Sequence, residues 1–453
     1  DSLHEAQRGL ELADELAADS KQRSGFYSTS AWDFNVLGLY PAALSCQQEA
    51  LRLASLTNNL LAISRYAIHL GLIQRKLGNY PEALKQMQYG QAAGERAPVS
   101  ETRRSMIFYA QLNLGHVYRE TNASAEALAA FDRVIEYARE KESPWLLYLA
   151  HKGRLLTYIR KHDVETAQRE LQTVLTLFEE HRKNIQEESN RSSFFDSEQN
   201  IYDLAIDFAY ADQQNPAQAF DYAELSRARS LLDAKKAPRQ LATHLPIPEL
   251  RLAATDQPAS WEEIRQRIPP HIQVLQYAAL ENKLIIWVLT SDHLETRTVP
   301  ISLLQLTALI QEYRAQLVQP PSPPTAPPEA AKRLYEWLIR PVEPILQAHK
   351  LLCLIPDKTL NLLPFSTLLD RQTNQYLLER YALFYAPSTN FLLTCLDETP
   401  RQFRRQPEHL LSVGNPHFNA EEFPTLPDLP EAAQEASAIT ALYPSAQLLL
   451  GTA

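Results

Sequence analysis

The sequence predicts an α-helical repeat array followed by an α/β domain with a parallel sheet. Three observations carry that prediction. Residues 1–237 are rich in Ala, Leu, Glu, Gln and Arg, with apolar side chains at three- and four-residue spacing, the period of amphipathic helices. One turn motif recurs at near-constant intervals through that stretch. Beyond residue 260 short β-rich runs alternate with helical patterns, the signature of parallel strands joined by crossover helices.

Composition sets the bounds. At 453 residues the chain is too long for one ordinary core. With 45% hydrophobic and 22% charged residues it reads as globular. Only 11 Gly against 30 Pro suits long helices joined by proline-bearing linkers. A net charge of −10 argues against direct nucleic-acid binding, which requires a strong basic surface to release counterions. Cys46, Cys353 and Cys395 lie far apart, giving neither a disulfide framework nor metal-ligand spacing. A reducing cytoplasm is the expected compartment. No apolar run is long enough to span a membrane, and no metal or cofactor is expected. The opening Asp1-Ser-Leu-His, without Met, suggests a chain that begins inside a longer protein.

The repeat is visible in its turns. Gly38-Leu-Tyr-Pro-Ala-Ala-Leu44, Gly78-Asn-Tyr-Pro-Glu-Ala-Leu84 and Asn122-Ala-Ser-Ala-Glu-Ala-Leu128 are versions of one element, with weaker copies at His162–Gln168 and Asn215–Phe220. Ala43, Ala83, Ala127 and Ala167 are spaced by 40, 44 and 40 residues. Gly71 and Gly115 each precede an alanine of this set by 12 residues, and Met87 and Phe131 follow by four. A small residue lets two helices approach and a larger one fills the adjoining groove. The pattern resembles tetratricopeptide repeats, with a longer period and no signature Trp. Glu5–Ala13 reads as the second helix of a repeat whose first helix is absent.

Such repeats present a groove lined by the first helix of each pair. On this phasing the groove carries Arg65, Arg75, Lys76, Arg119, Lys152 and Arg160, a basic lining suited to an acidic protein or peptide partner. The alternative is ordinary solvated charge on helix faces. The array closes at Ala219–Asp233, where Glu224, Arg227 and Arg229 form either a polar contact to the next domain or local ion pairs on an exposed helix.

Residues 238–260 read as a linker. Then come an alternating strand at His271–Tyr277, a tight turn at Glu281-Asn282, a buried-type strand at Lys283–Thr290 and a further alternating run at Leu294–Val299. A helix follows over 301–318. The proline-rich Pro320–Pro328 reads as an extended loop, with a polyproline ligand as the alternative. The next helix, 329–349, should break near Arg340 because of Pro341 and Pro344. Strands are expected at Leu351–Ile355, Leu378–Tyr385, Leu410–Val413 and Gln447–Leu450. Helices are expected at Ser388–Leu396, with Ser388 as N-cap, and at Pro430–Leu442.

The ordered series Leu351–Phe365, Tyr376–Tyr381, Tyr385–Ser388, Leu410–Pro416 and Leu429–Glu435 resembles the front half of a CHAT domain, a caspase-like cysteine peptidase fold that follows tetratricopeptide repeats. The resemblance implies domains at 1–237, a linker at 238–260 and the N-terminal part of the CHAT domain at 261–453. It implies a catalytic His and Cys on later strands, so that no catalytic residue lies within the sequence. Nothing else here supplies a nucleophile: Cys353 sits among apolar strand residues, Cys395 and Cys46 fit helix cores, and His417 follows the C-terminal end of a parallel strand, where α/β ligands bind, but not at the position the resemblance gives the catalytic His. The expectation is therefore the regulatory and scaffold portion of a caspase-like cysteine endopeptidase, its repeats binding a partner and gating the peptidase. The alternatives are a non-catalytic scaffold, or a subunit of a nucleic-acid-guided bacterial defence complex. A larger regulatory complex is expected in either case.

Overall fold

The computed structural model describes Arg8 and residues 20–184, 200–235, 259–318, 328–402, 409–416, 429–443 and 445–451. The expected helix at Glu5–Ala13, the Pro320-rich loop up to residue 327, His417 and most of the 238–260 linker lie outside these residues, as does the side chain of Arg229. The chain divides into two compact units, one of residues 1–243 with 278–285 and 300–304, the other of 244–277, 286–299 and 305–453.

The first unit is a run of antiparallel helices: α1 Ser20–Val36, α2 Tyr40–Leu56, α3 Leu60–Lys76, α4 Tyr80–Arg96, α5 Glu101–Glu120, α6 Ser124–Glu140, α7 Pro144–Arg160, α8 Val164–Asn184, α9 Asn200–Asp207 and α10 Pro216–Lys235. A π-turn at Phe208–Asp212 extends α9. Each recurring sequence motif is the turn from a first helix into a second. Its leading residue takes positive φ at Gly38, Gly78, Asn122 and His162, and Gln214 does so just before the fifth copy. In the first four, the next amide donates back across the turn: Leu39 N to Phe34 O at 2.8 Å, Asn79 N to Gln74 O at 2.9 Å, Ala123 N to Tyr118 O at 2.8 Å and Asp163 N to Tyr158 O at 3.1 Å. That bond satisfies a carbonyl the helix end would leave orphaned.

The small-and-large pairing is realised in the packing. A Cβ on Gly71 would lie 2.6 Å from Met87 Cγ, and one on Gly115 would lie 2.6 Å from Phe131 Cε1. A Cβ on Gly153, on the first helix of the following repeat, would lie 2.4 Å from Cε1 of the same Phe131 ring. The Phe131 ring is thus clasped between two glycines, and it is fully buried.

C-terminal to the repeats, α11 Trp261–Arg267 precedes β1 Ile272–Ala279, β2 Leu284–Leu289, β3 Leu294–Val299, α12 Leu303–Val318 and α13 Glu329–Leu338. Then follow β4 Leu351–Ile355, α14 Leu377–Arg380, β5 Leu383–Tyr385, α15 Thr389–Gln402, β6 His409–Pro416, α16 Pro430–Thr440 and β7 Ser445–Gly451. The main sheet has the order β3-β2-β1-β4-β5, with β4 parallel to β1 and to β5. β1 and β2 are buried throughout. The Glu281-Asn282 turn between them is closed by Leu280 N donating to Lys283 O at 2.9 Å.

The helix predicted over 329–349 breaks beside Arg340 as expected, ending at Leu338, because Pro341 disfavours helical geometry at Arg340 and cannot donate a helical hydrogen bond. Two expectations need correction. The strand predicted at Leu378–Tyr385 begins as the helical turn α14. The Glu379 carboxylate accepts from Tyr376 N at 2.6 Å and caps it, leaving Leu383–Tyr385 as strand. The single parallel sheet is two sheets: β6 and β7 pair with each other in parallel, apart from the main sheet. β5, at three residues, offers little edge for a further strand. β6 is instead held to α16, where Ser412 Oγ donates to Ala436 O at 3.1 Å and Gly414 admits the Ala432 carbonyl.

Candidate functional site

The six cations predicted to line the groove fall on first helices, as phased: Arg65, Arg75 and Lys76 on α3, Arg119 on α5, Lys152 and Arg160 on α7. The structure gathers Arg75, Arg119 and Lys152 around His116 of α5. Arg75 Nη1 donates to Glu120 Oε1 at 2.9 Å and Arg119 Nη2 to the same oxygen at 3.2 Å. Arg119 Nη1 lies 3.4 Å from His116 Nδ1. Lys152 Nζ stands 5.5 Å over the Tyr148 ring, and Arg160 Nε donates to Asn122 Oδ1 at 2.7 Å. Lys76 is exposed beside Arg75.

Electrostatics report the same proximity. Burial first, then the charges of Arg119, Arg75 and Lys152, hold His116 well below the ordinary histidine range, so its ring is neutral. Burial likewise pulls the Arg119 guanidinium down, with Glu120 opposing and Arg75 and Arg160 adding to the effect. Arg119 stays charged all the same, its ordinary pKa being far above neutrality.

Arg65 belongs to a separate recess. With Gln22, Phe26, Thr29, Trp32 and His69 it lines a cavity of about 540 Å³. Its guanidinium lies 5.0 Å over the Tyr66 ring. The Trp32 and His69 rings are 6.0 Å apart, and His69 meets the edge of Tyr109 at 6.3 Å. Trp32 is 51% exposed. Burial, with Arg65 nearby, brings His69 down to about 4. A line of rings therefore runs across α1, α3 and α5, from the recess toward the cations.

Sequence reasoning named the cations and did not name Trp32, His69, Tyr109 and His116. A signal was present: His69 and Tyr109 are 40 residues apart, the spacing of Ala43 and Ala83.

Elsewhere polar clusters hold elements together. His151 Nδ1 lies 2.8 Å from Glu170, which also pairs with Arg154 at 2.9 Å, tying α7 to α8. In the second unit Arg340 pairs with Glu343 and Asp370, and Arg380 with Glu343 and, at 3.5 Å, Asp370. The Asp370 side chain is 1% exposed and also accepts from Gln372 N and Thr373 Oγ1, both at 2.8 Å. Cys46 and Cys353 are buried and Cys395 is half-buried; burial pushes the Cys46 thiol up. Glu224 is buried and Arg227 half-buried, so that part of α10 is not the exposed face considered above. Among the described residues no group of His, Cys, Asp and Glu is arranged to hold a metal ion, and no helix is long and apolar enough to cross a membrane.

The CHAT domain family matches residues 328–453. No curated protein matches the chain. Solved structures resemble the chain over about half its length. BtubC from P. vanneervenii is 15% identical, over 52% of this chain and 92% of that one, with a TM-score of 0.41. A Rap protein solved with Competence and Sporulation Factor is 19% identical, over 51% of this chain and 58% of that one, with a TM-score of 0.36. Aspartyl phosphate phosphatase F from Bacillus subtilis is 17% identical, over 50% and 54%, with a TM-score of 0.34. No functional reading follows from these likenesses. The helical hairpins seen in the first unit, with their tetratricopeptide-like glycine and alanine spacing, run ahead of a segment, residues 328–453, that matches the CHAT domain family.

Proposed function

We propose that this chain is the regulatory and scaffold portion of a caspase-like cysteine endopeptidase of the bacterial cytoplasm. Its repeats hold a protein partner on their first-helix face, and that binding gates the peptidase. The observation that carries the reading is the convergence of Arg75, Arg119 and Lys152, from three successive repeats, around one neutral imidazole. Charges scattered for solubility alone have no reason to crowd one another; placing cations together costs repulsion that a bound anion relieves.

The test is a peptide-display selection on the immobilised full chain and on the Arg75→Gln, Lys76→Gln, Arg119→Gln variant. Neutral glutamines avoid forcing new carboxylates against Glu120. Peptides enriched on the wild type are expected to lose binding at least tenfold on the variant, with the helical circular dichroism unchanged. Equal enrichment on both proteins removes the cationic face from the function.

A further inference from the structure

The two halves of the first-helix face differ in chemistry, and the difference specifies an occupant. Among the described residues Arg75 and Arg119 share the one Glu120 carboxylate, and exposed Lys76 adjoins. This local excess runs against a chain whose net charge is −10. Arg presents a planar fork of donors that matches a carboxylate. At the other end the recess at Trp32, His69 and Arg65 offers an exposed indole beside a desolvated imidazole, with a cavity of about 540 Å³. A large flat side chain inserted there gains area burial and edge or offset stacking.

Trp32, His69, Tyr109 and Lys152 lie on successive first helices. Neighbouring packed helices stand about 10 Å apart, so the span is on the order of 30 Å, roughly nine residues of extended chain. We infer that the occupant is an extended acidic protein segment bearing one aromatic side chain, the ring seated between Trp32 and Arg65 and the carboxylates lying along Arg75, Arg119 and Lys152. This rests on the partner-binding reading above and names the partner's chemistry. A single-stranded nucleic acid is disfavoured by the rings themselves. Trp32 alone is well exposed, while His69 and Tyr109 are half-buried, so there is one slot and no platform for successive bases.

The experiment uses the full chain and fluorescence anisotropy. The probes are a labelled 12-residue Asp/Glu-rich peptide with one Phe near an end, the same peptide with that Phe replaced by Ala, and a labelled 12-nucleotide single strand. The Phe peptide is expected to bind and the Ala peptide at least tenfold more weakly. Trp32→Ala should weaken the Phe peptide to the level of the Ala peptide and leave the latter unchanged. Trp32→Phe should retain binding, which separates loss of the ring from misfolding. Lys152→Gln should weaken both peptides by the same factor. Equal affinity for the Phe and Ala peptides, or tighter binding of the oligonucleotide, overturns the inference. The partner-binding reading stands or falls separately, on whether the display selection enriches any peptide that depends on the cations.

Discussion

The repeat unit and the α/β unit solve the problem of burial in opposite ways. In the repeats, close contact comes from what is missing. Gly115 and Gly153 carry no Cβ, and the Phe131 ring fills the space both leave. The contact is local, renewed from hairpin to hairpin, and a buried charge such as Glu170 is met by His151 and Arg154 of the adjoining helix. The α/β unit buries β1 and β2 completely and encloses Asp370, which it satisfies from several sides. A repeat array thus renews its contacts from one helix to the next, while in the α/β unit one buried carboxylate gathers Arg340, Arg380, Gln372 and Thr373.

The sharpest way to break the comparison is at Phe131. Phe131→Ala leaves a cavity between two glycines that cannot fill it, and the expected cost is about 4 kcal/mol. Hydrogen exchange should show lost protection in α5, α6 and α7 and unchanged protection in β1 and β4. Loss spread evenly over both units would mean that the repeat contact is not local. Next comes Asp370→Ala, which leaves Arg340 and Arg380 short of a partner and should cost about 3 kcal/mol. Here the lost protection belongs to α13, α14 and β4, with the repeats unaffected.

A third effect is graded by pH. His69 is held near 4 in the fold, against about 6.5 in an unfolded chain. Between those values the unfolded chain binds more protons. Stability is therefore full above about pH 6.5 and is lost as pH falls toward 4. Arg65, Trp32 and Tyr109 face His69, and none of them supplies an anion for the protonated ring. His116, facing Arg119, Arg75, Lys152 and Phe131, acts in the same direction. At pH 5 the loss from His69 is on the order of 2 kcal/mol. Thermal melts at pH 7.5 and 5 should show a lower Tm in acid, with a smaller difference in His69→Gln. An identical pH dependence in the variant would exclude His69 as a source. The smallest effect is expected at the exposed pair of Arg104 with Glu140, at 2.7 Å. Arg104→Ala should leave Tm within error, because exposed ion pairs contribute little.

Much of the repeat architecture was legible because its punctuation is chemical. Gly38, Gly78 and Asn122 announce residues that tolerate positive φ, and Pro41 and Pro81 sit where a helix can begin. Leu351–Ile355 and the Glu281-Asn282 turn were legible for similar reasons. The α14 turn was not, because Leu377–Tyr385 has strand-like composition and only the Glu379 cap decides its start. The separation of β6 and β7 from the main sheet was not legible either. Strand alternation predicts parallel pairing but not which neighbour each strand chooses. At the candidate site the cations could be phased from helix periodicity alone. The roles of His69 and His116 could not, because their neutrality depends on burial by other repeats.

The positive-φ residue that leads each turn has one further consequence. Four such turns share the same return hydrogen bond although their leading residues are Gly, Gly, Asn and His. The two helices of each hairpin are thus joined by interchangeable turns, and the cations ride on a ratchet whose tooth is one hairpin. Removing or duplicating a whole hairpin would shorten or lengthen the distance between the Trp32 recess and Lys152 by one tooth. The length of segment the face accepts is then set by the number of hairpins between them.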